Sequence, residues 1–259
     1  MTRLYESAAG QQDPRPLWHV EPDRAFFAGP LGHNVPHRHA TPVLLTGLYG
    51  AFRLRVEGGD WRLAHAAMIP ASTSYEFDMG GEPLSVLYLE PDLAGLEALA
   101  PILQEASAED GVIIGRPATL EVFRELFESP ESHRWAHLAL SDVVSYAGRN
   151  SLTEIDPRIA TLVRRLSEDL TEQIPAESLA AEVGLSVSRM QHLFTETVGV
   201  PMRRYRTWRR LRSAISEAAN GSSGTEAAHA AGFFDQAHFG HAFRKAFGAP
   251  PRLAGVRGS

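Results

Sequence analysis

The chain contains no cysteine among its 259 residues, which rules out disulfide bonds, thiol catalysis and cysteine-ligated metal sites. It also lacks an uninterrupted apolar run of about eighteen residues, the length that a membrane-spanning helix requires. Residues 1–6 lack the apolar core of a secretory signal. We therefore expect no leader, no membrane partner and a cytoplasmic protein.

Motifs for catalysis are missing as well. We find no Ser-His-Asp order, no phosphate-binding glycine loop and no matched pair of carboxylates. The sequence therefore predicts no catalytic residues, no cofactor and no enzymatic activity. Its length and its 44% hydrophobic content are sufficient for two ordinary domains.

Acidic and basic residues are distributed unequally along the chain. The net charge is −6, but residues 1–155 hold 11 basic against 21 acidic residues, whereas residues 156–259 hold 14 against 10. Because nucleic-acid binding depends on neutralising phosphates, a site of that kind is expected in the basic C-terminal part and not in the acidic N-terminal part.

An internal repeat dominates that C-terminal part. Each copy contains a short apolar stripe, a glycine, a second apolar stripe and a closing Gly-x-Pro. The first copy comprises Leu179, Ala180, Val183, Gly184, Leu185, Met190, Leu193, Phe194, Gly199 and Pro201, and the second comprises Ala227, Ala228, Ala231, Gly232, Phe233, Phe239, Ala242, Phe243, Gly248 and Pro250. The turn glycines are 48 residues apart and the closing glycines 49, so the second copy has one extra residue around Phe234.

This pattern predicts two helix-turn-helix units. Gly184 can adopt the turn conformation that a residue with a Cβ atom would find costly, and Ser186 and Asp235 are suited to cap the second helix of each unit. A connecting helix is predicted from about Pro201 to Ala219, with Tyr205, Trp208, Leu211 and Ile215 on its apolar face.

The paired units, the helix that joins them, and the closing runs 232–239 and 247–251 resemble the DNA-binding domain of AraC/XylS-type transcription regulators over about residues 156–252. The resemblance implies two recognition helices that enter successive segments of the major groove of double-stranded DNA. It places Ser188, Gln191 and His192, and then Gln236, His238 and His241, at base edges. The other predicted DNA contacts are Arg189, Thr195, Arg203, Arg209, Ala237, Arg244 and Lys245, with the arginines assigned mainly to phosphates.

The two copies are not equivalent in sequence. The first helix of the second copy is rich in alanine, and the family usually has a larger aliphatic residue at Ala227. We expect the first unit to carry most of the base-specific energy and the second to contribute more to anchoring.

The N-terminal half has the residue pattern of a β protein. Phe52 to Val56 alternates, residues 57–60 form a turn and residues 61–64 resume, which predicts a hairpin; residues 67–70 and 84–89 predict further strands. Short strands without intervening helices favour a small β-barrel or sandwich at about residues 20–91.

The pair His37 and His39 resembles the start of the metal motif in cupin barrels. The glutamate of that motif falls on Val43 or Leu44 and its late histidine near Tyr75, so too few donors remain and we predict no metal. His33 or His65 could complete a site, although no spacing requires it. The residues predicted to line a small-molecule site in the barrel are His37, His39, Tyr49, Trp61, Tyr75 and Phe77.

After Pro91 the pattern turns helical, with amphipathic segments at residues 93–100, 120–127 and 135–143 that either pack on the barrel or form a dimer seam. Asp156 and Pro157 then begin the first helix of the DNA-binding part. The prediction is thus an α+β multidomain protein: a cupin-like sensor in residues 1–150, with barrel and then helices at about 92–148, and an all-α double helix-turn-helix domain in residues 156–259.

The function predicted from this layout is a sequence-specific transcription regulator, an activator by resemblance. It would respond to a small-molecule effector, act as a homodimer and have RNA polymerase as a further partner. Two alternatives stay open at this point. One is a cupin-type metal-dependent enzyme that carries a DNA-binding domain, and the other is a DNA-binding dimer that needs no ligand.

Overall fold

The computed structural model describes residues 15–90, 101–148, 155–168 and 174–251. Strands come first in the chain and helices follow. The strands are β1 Leu17–Val20, β2 Arg24–Pro30, β3 His33–His37, β4 Val43–Gly47, β5 Phe52–Val56, β6 Arg62–Ala64, β7 Ala66–Ile69, β8 Tyr75–Asp78, β9 Pro83–Leu89, β10 Leu103–Glu109 and β11 Val112–Pro117. The helices are α1 Leu120–Glu128, α2 Ala136–Gly148, α3 Pro157–Glu168, α4 Ala176–Glu182, α5 Val187–Val198, α6 Met202–Ala219, α7 Gly224–Ala230 and α8 Gln236–Phe247.

Two antiparallel sheets form the N-terminal barrel. The larger has the strand order β1-β2-β9-β4-β7-β11-β10 and the smaller has the order β3-β8-β5-β6. The predicted hairpin is confirmed as β5 and β6, in which Phe52 pairs with Ala64. Phe52, Leu54 and Val56 are buried while Arg53 is exposed, as the alternation predicts.

The central strands β4, β7 and β9 of the larger sheet are buried on both faces. Neighbouring residues of each strand point to opposite sides and so enter different cores. On β4, Val43 and Leu45 face the smaller sheet, and Leu44 faces a second core that includes Phe123 of α1 and Leu140 of α2. The two predicted amphipathic segments at 120–127 and 135–143 are thus confirmed as helices that pack on the barrel. The segment at 93–100 lies outside the described residues.

One expectation about this region is wrong. The sequence predicts only helices after Pro91, but β10 and β11 form a hairpin that extends the larger sheet through the pairing of Ile113 with Met68. Residues 104–109 of β10 are all exposed, so this strand has no apolar alternation to reveal it. Within the amphipathic segment 135–143, whose apolar residues are expected to face inward, Leu138 is 61% exposed.

The C-terminal part has the predicted double helix-turn-helix order. Ser186 caps α5 by accepting a hydrogen bond from the Arg189 N–H, and Asp235 caps α8 by accepting one from the His238 N–H. Gly184 and Gly232 have φ angles of 65° and 75° in the two turns. The connecting helix is confirmed as α6, and α3 begins at Pro157.

In the second unit, an arginine of α6 packs on an aromatic ring next to the small alanine side chains. Arg210 of α6 lies 4.3 Å from the centre of the Phe233 ring and donates a hydrogen bond to the Ala231 carbonyl. Ala227, Ala228 and Ala231 are fully buried beneath this contact. In the part of the chain that the structure describes, no helix is both long enough and apolar enough to cross a membrane.

Candidate nucleic-acid interface and its contact with the barrel

The first recognition helix, α5, presents all of its predicted DNA contacts to solvent. Met190 and Phe194 are buried on one side, and the opposite side exposes Ser188, Arg189, Gln191, His192 and Thr195. The Thr195 hydroxyl donates to the Gln191 carbonyl, and His192 lies 3.9 Å from the Glu196 carboxylate. The amide of Gln191 projects from this exposed face, where it can meet a base edge.

The second recognition helix, α8, has the same division. Phe239, Phe243 and Phe247 are buried, and the exposed side carries Gln236, Ala237, His238, His241, Arg244 and Lys245. Two of these side chains already have partners within their own unit. The Gln236 side-chain oxygen accepts from the Thr225 hydroxyl at 3.3 Å, and the His238 Nδ1 accepts from the Phe234 N–H at 3.4 Å.

Phe234 is a surface residue that the sequence analysis did not single out as a site. It lies in the turn before α8 and is 83% exposed, more than the other exposed large apolar residues of the described part. Its position is that of the extra residue in the second copy, which the spacing of the repeat does reveal.

The arginines of α6 have diverse environments. Arg203 is exposed, as a phosphate contact requires. Arg204 donates to the Arg38 carbonyl at 2.6 Å and Arg206 to the Ile174 carbonyl at 2.9 Å.

Among these residues, the predicted phosphate contact of Arg209 is corrected. It is only 9% exposed, donates to the Pro22 carbonyl at 2.9 Å and lies 3.5 Å from the Glu90 carboxylate. Its guanidinium binds the barrel in this conformation, so the predicted phosphate contact is not available to it. An arginine on an amphipathic helix looks the same in sequence whether its partner is a phosphate or a buried carboxylate.

Glu90 organises the contact between barrel and helices. It directly follows the buried strand β9 and is 2% exposed. The Tyr205 hydroxyl and the Arg212 guanidinium donate to it, and the Trp208 indole N–H donates at 3.1 Å. We call Glu90, Tyr205, Trp208, Arg209 and Arg212 the Glu90 cluster.

Burial of the Glu90 cluster changes its proton equilibria. Loss of solvent and the adjacent Glu90 carboxylate raise the pKa of Tyr205, so its hydroxyl remains a donor. Burial lowers the pKa of Arg212. Arg212 also donates to the carbonyl oxygens of Glu21 and Arg24. These hydrogen bonds join α6 to the turn between β1 and β2.

A second contact between the two parts is aromatic. We call the following residues the aromatic cluster: Trp18, His37, His39, Tyr75 and Tyr88 of the barrel with Trp208 and Phe247 of the helices. The His37 ring centre lies 4.4 Å from that of Tyr75, and the His39 ring centre lies 5.1 Å from that of Tyr88 and 5.4 Å from that of Phe247.

The two histidines of this cluster are neutral at pH 7. Burial lowers the pKa of His37 to about 4, and burial together with His37 holds the pKa of His39 well below 6.5. Within the described residues, the Tyr75 hydroxyl and the His39 Nδ1 are buried and have no hydrogen-bond partner. Such atoms are costly to bury unless something binds them.

The predicted ligand-lining residues divide into two sets. His37, His39, Tyr75 and Phe77 come together inside the barrel, with 6.3 Å between the ring centres of His37 and Phe77. Tyr49 and Trp61 do not join them. The Tyr49 hydroxyl donates to Glu128 of α1, and the Trp61 ring lies against the guanidinium of Arg53 at 4.7 Å. The prediction for these two residues is corrected, because aromatic content alone does not reveal which face of a strand or turn is inward.

Metal donors do not gather around the histidine pair. His33 instead approaches Glu76 at 3.2 Å, and Glu76 also pairs with Arg55. Over the described ranges, no three His, Asp or Glu side chains lie close enough together to hold a metal ion. An open depression of about 380 Å³ lies beside Glu76. Half of its lining residues are charged: Arg38, Arg55, Glu57 and Glu76.

Both recognition helices end against the barrel. Each ends at its closing glycine, Gly199 or Gly248, with φ angles of 82° and 69°. A Cβ atom added at Gly199 would lie 3.2 Å from the Ala71 side chain, whereas one added at Gly248 would overlap the Val35 carbonyl and the His37 ring. The turn at Gly248, after α8, is therefore packed more tightly against the barrel than the turn at Gly199, after α5.

Comparisons with known proteins agree with this arrangement. Residues 179–253 match the model of a helix-turn-helix domain family. A search by sequence among curated proteins finds no significant match.

The full fold is similar to that of ToxT from Vibrio cholerae. A structure of wild-type ToxT bound to an unsaturated fatty acid matches with a TM-score of 0.55 at 14% identity, over 90% of this chain and 94% of that one. A second ToxT structure matches with a TM-score of 0.55 at 14% identity, over 89% and 96%. A third, bound to (E)-4-(8-methylnaphthalen-1-yl)but-3-enoic acid, matches with a TM-score of 0.53 at 13% identity, over 88% and 97%.

Proposed function

We propose that this chain, a DNA-binding transcription regulator with an AraC-type helix-turn-helix domain in its C-terminal region, responds to a small molecule bound at the aromatic cluster. One observation carries the proposal. Two of the buried polar atoms that find no partner among the described residues, the Tyr75 hydroxyl and the His39 Nδ1, lie together in the aromatic cluster. They are surrounded by aromatic rings contributed by both the barrel and the DNA-binding helices.

The chemistry of the cluster defines the class of effector. The cluster consists mainly of aromatic rings, and its two imidazoles are neutral, so it favours a largely apolar molecule with one hydrogen-bonding group that inserts among the rings. The ToxT structures with a fatty acid and with a naphthyl-butenoic acid support an apolar effector with a polar end.

The proposal also covers the DNA contacts. We assign base edges to Ser188, Gln191 and His192 on α5, where exposure leaves the side chains accessible, and phosphate contact to Arg203. On α8 we assign base or phosphate contact to Gln236, Ala237, His238, His241, Arg244 and Lys245. Double-stranded DNA as partner implies a cytoplasmic location.

Homodimerisation and contact with RNA polymerase complete the proposed function. Leu138 and Tyr146 of α2 are 61% and 51% exposed, and we assign the homodimer contact to this helix. Sedimentation of the full chain at micromolar concentration tests the dimer.

The effector proposal is tested with tryptophan fluorescence in a chain that carries Trp61→Phe and Trp135→Phe, so that the signal comes from Trp18 and Trp208 of the cluster. A panel of fatty acids and aromatic carboxylic acids is titrated into the full-length chain, and promoter binding is measured in parallel. We expect at least one compound to change both signals. Tyr75→Phe should weaken that binding because it removes only the hydroxyl, while Tyr49→Phe should leave it unchanged because Tyr49 lies elsewhere. Equal affinity in Tyr75→Phe and the parent chain would refute this site.

A further inference from the structure

The last residue of the second recognition helix is part of the interior of the barrel. Phe247 ends α8 and is 6% exposed. Its ring centre lies 6.0 Å from that of Trp18, 5.4 Å from that of His39 and 5.9 Å from that of Tyr88. One side chain therefore belongs both to a DNA-binding helix and to the proposed effector site.

The backbone at this point is also held by the barrel. The final carbonyl groups of a helix have no donors within the helix. Here the Asn34 side-chain amide donates to the Phe247 carbonyl at 2.7 Å, and the Val35 N–H donates to the Gly248 carbonyl at 3.1 Å. Strand β3 thus supplies the donors that the end of α8 lacks, and these two hydrogen bonds connect the strand to the helix.

The link from the cluster to this backbone is short. The His37 Nδ1 lies 2.8 Å from the Val35 carbonyl, and the His37 ring contacts Tyr75 and His39. Val35 in turn donates to Gly248. A shift of the His37 ring therefore reaches the end of α8 both through Val35 and directly, because the ring lies against Gly248.

The first recognition helix has a different ending. Val198 stands at the position equivalent to Phe247, 49 residues earlier, and offers no ring to the aromatic cluster. The turn that follows it, at Gly199, lies against the small side chain of Ala71 in the barrel. The barrel therefore holds the two recognition helices in different ways.

We propose that Phe247 couples the effector site to the second recognition helix. The inference rests on the proposed function and adds its route: a molecule in the aromatic cluster must displace the Phe247 ring or stack against it, and either change moves the C-terminal end of α8 relative to α5. Because such coupling is reciprocal, DNA bound to α8 changes the affinity of the cluster for the effector by the same factor.

The absence of cysteine makes a direct test possible, since labels attach only where cysteines are introduced. Spin labels on Leu63→Cys with Lys245→Cys report the distance from barrel to α8. Labels on Leu63→Cys with Glu196→Cys report the distance from barrel to α5. All three positions are exposed. Distance distributions are measured on the full-length chain without DNA and without added ligand.

We expect both distributions to be narrow in the parent chain. Phe247→Ala should broaden the distance from barrel to α8 and leave the distance from barrel to α5 unchanged. Val198→Ala, the matched control, should leave both narrow. If Phe247→Ala fails to fold, as judged by circular dichroism, Phe247→Leu keeps apolar bulk, removes the ring contacts and should show the same selective broadening.

Three results would overturn the proposal: unchanged widths in the Phe247 variants, equal broadening of both distances, or equal broadening by Val198→Ala. No effector is present, so a failed search for ligands refutes the proposed function without changing this result. Conversely, a ligand that binds while Phe247→Ala leaves α8 fixed refutes only the coupling.

Discussion

The two helix-turn-helix units share one sequence pattern but differ in their partners. The exposed side of α5 carries Gln191 and Ser188 toward solvent, while on α8 Gln236 and His238 have hydrogen-bond partners within their own unit. The end of α8 is bound to the barrel by Asn34, by Val35 and through Phe247. The first unit is therefore better suited to base recognition, and the second is better suited to transmit the state of the barrel.

The largest effect should come from removing the carboxylate that binds α6, the helix joining the two units, to the barrel. Glu90→Ala leaves Arg209 and Arg212 buried without a counter-charge, which we expect to cost about 3–5 kcal/mol of stability. Denaturant unfolding measures this loss. The control is Arg116→Ala, which breaks an exposed pair with Glu105 and should cost about 0–1 kcal/mol. A small loss of stability in Glu90→Ala would show that the barrel and α6 are held together without this carboxylate.

Acid should loosen the second unit through His37. The pKa of His37 is lowered from 6.5 to about 4 by burial, partly offset by the nearby Glu76 carboxylate. The unfolded chain therefore binds a proton that the folded chain does not, and stability present above pH 6.5 is lost as the pH falls toward 4. A shift of this size corresponds to about 3 kcal/mol.

Unfolding curves between pH 7 and pH 4 test this prediction. His37→Asn should flatten the pH dependence, while His39 makes its own contribution in the same direction. Hydrogen exchange should show earlier loss of protection in α8 than in α5. An order in which α5 loosens first would contradict the assignment of the His37 contact to the second unit.

Base recognition should fall mainly on the first unit. Gln191→Ala should cost about 1–3 kcal/mol at the specific site and relax the preference at one or two base positions. Gln236→Ala should cost less, because the Gln236 amide already has Thr225 as a partner. Binding to specific and scrambled duplexes measures both. A loss for Gln191→Ala that is independent of sequence would show that α5 faces the DNA differently.

The smallest expected effect separates two arginines of α6. Arg203→Ala should weaken binding to all sequences alike and lower the salt slope by about 1, the value for one lost phosphate contact. Arg209→Ala should leave the salt slope unchanged and lower the melting temperature, because Arg209 contacts Glu90 and Pro22. Salt titrations of duplex binding distinguish the pair.

Local signals in the sequence predicted the local features well. The caps Ser186 and Asp235, the turn glycines and the start of α3 follow from backbone preferences that act within a few residues. The helix-turn-helix family match over residues 179–253 agrees with the predicted paired units. The order of strands first and helices second was visible in the residue pattern of the chain.

Features that depend on distant partners were not visible. β10 has an exposed, polar sequence and is a strand because β11 pairs with it. Glu90 stands at the end of an apolar strand like many surface carboxylates, and only the approach of α6 buries it. The same approach takes Arg209 away from its predicted role, since its partners lie far away in the chain.

The long separations across this contact have a consequence for synthesis. Asn34 and Phe247 are 213 residues apart, and Glu90 and Arg212 are 122 residues apart. Because chains fold from the N-terminus as they emerge and distant contacts form late, the barrel folds before its helical partner has been made. We therefore expect a newly made chain to pass through a stage in which the barrel still lacks the rings of Trp208 and Phe247, and the proposed effector to reach the aromatic cluster most easily at that stage.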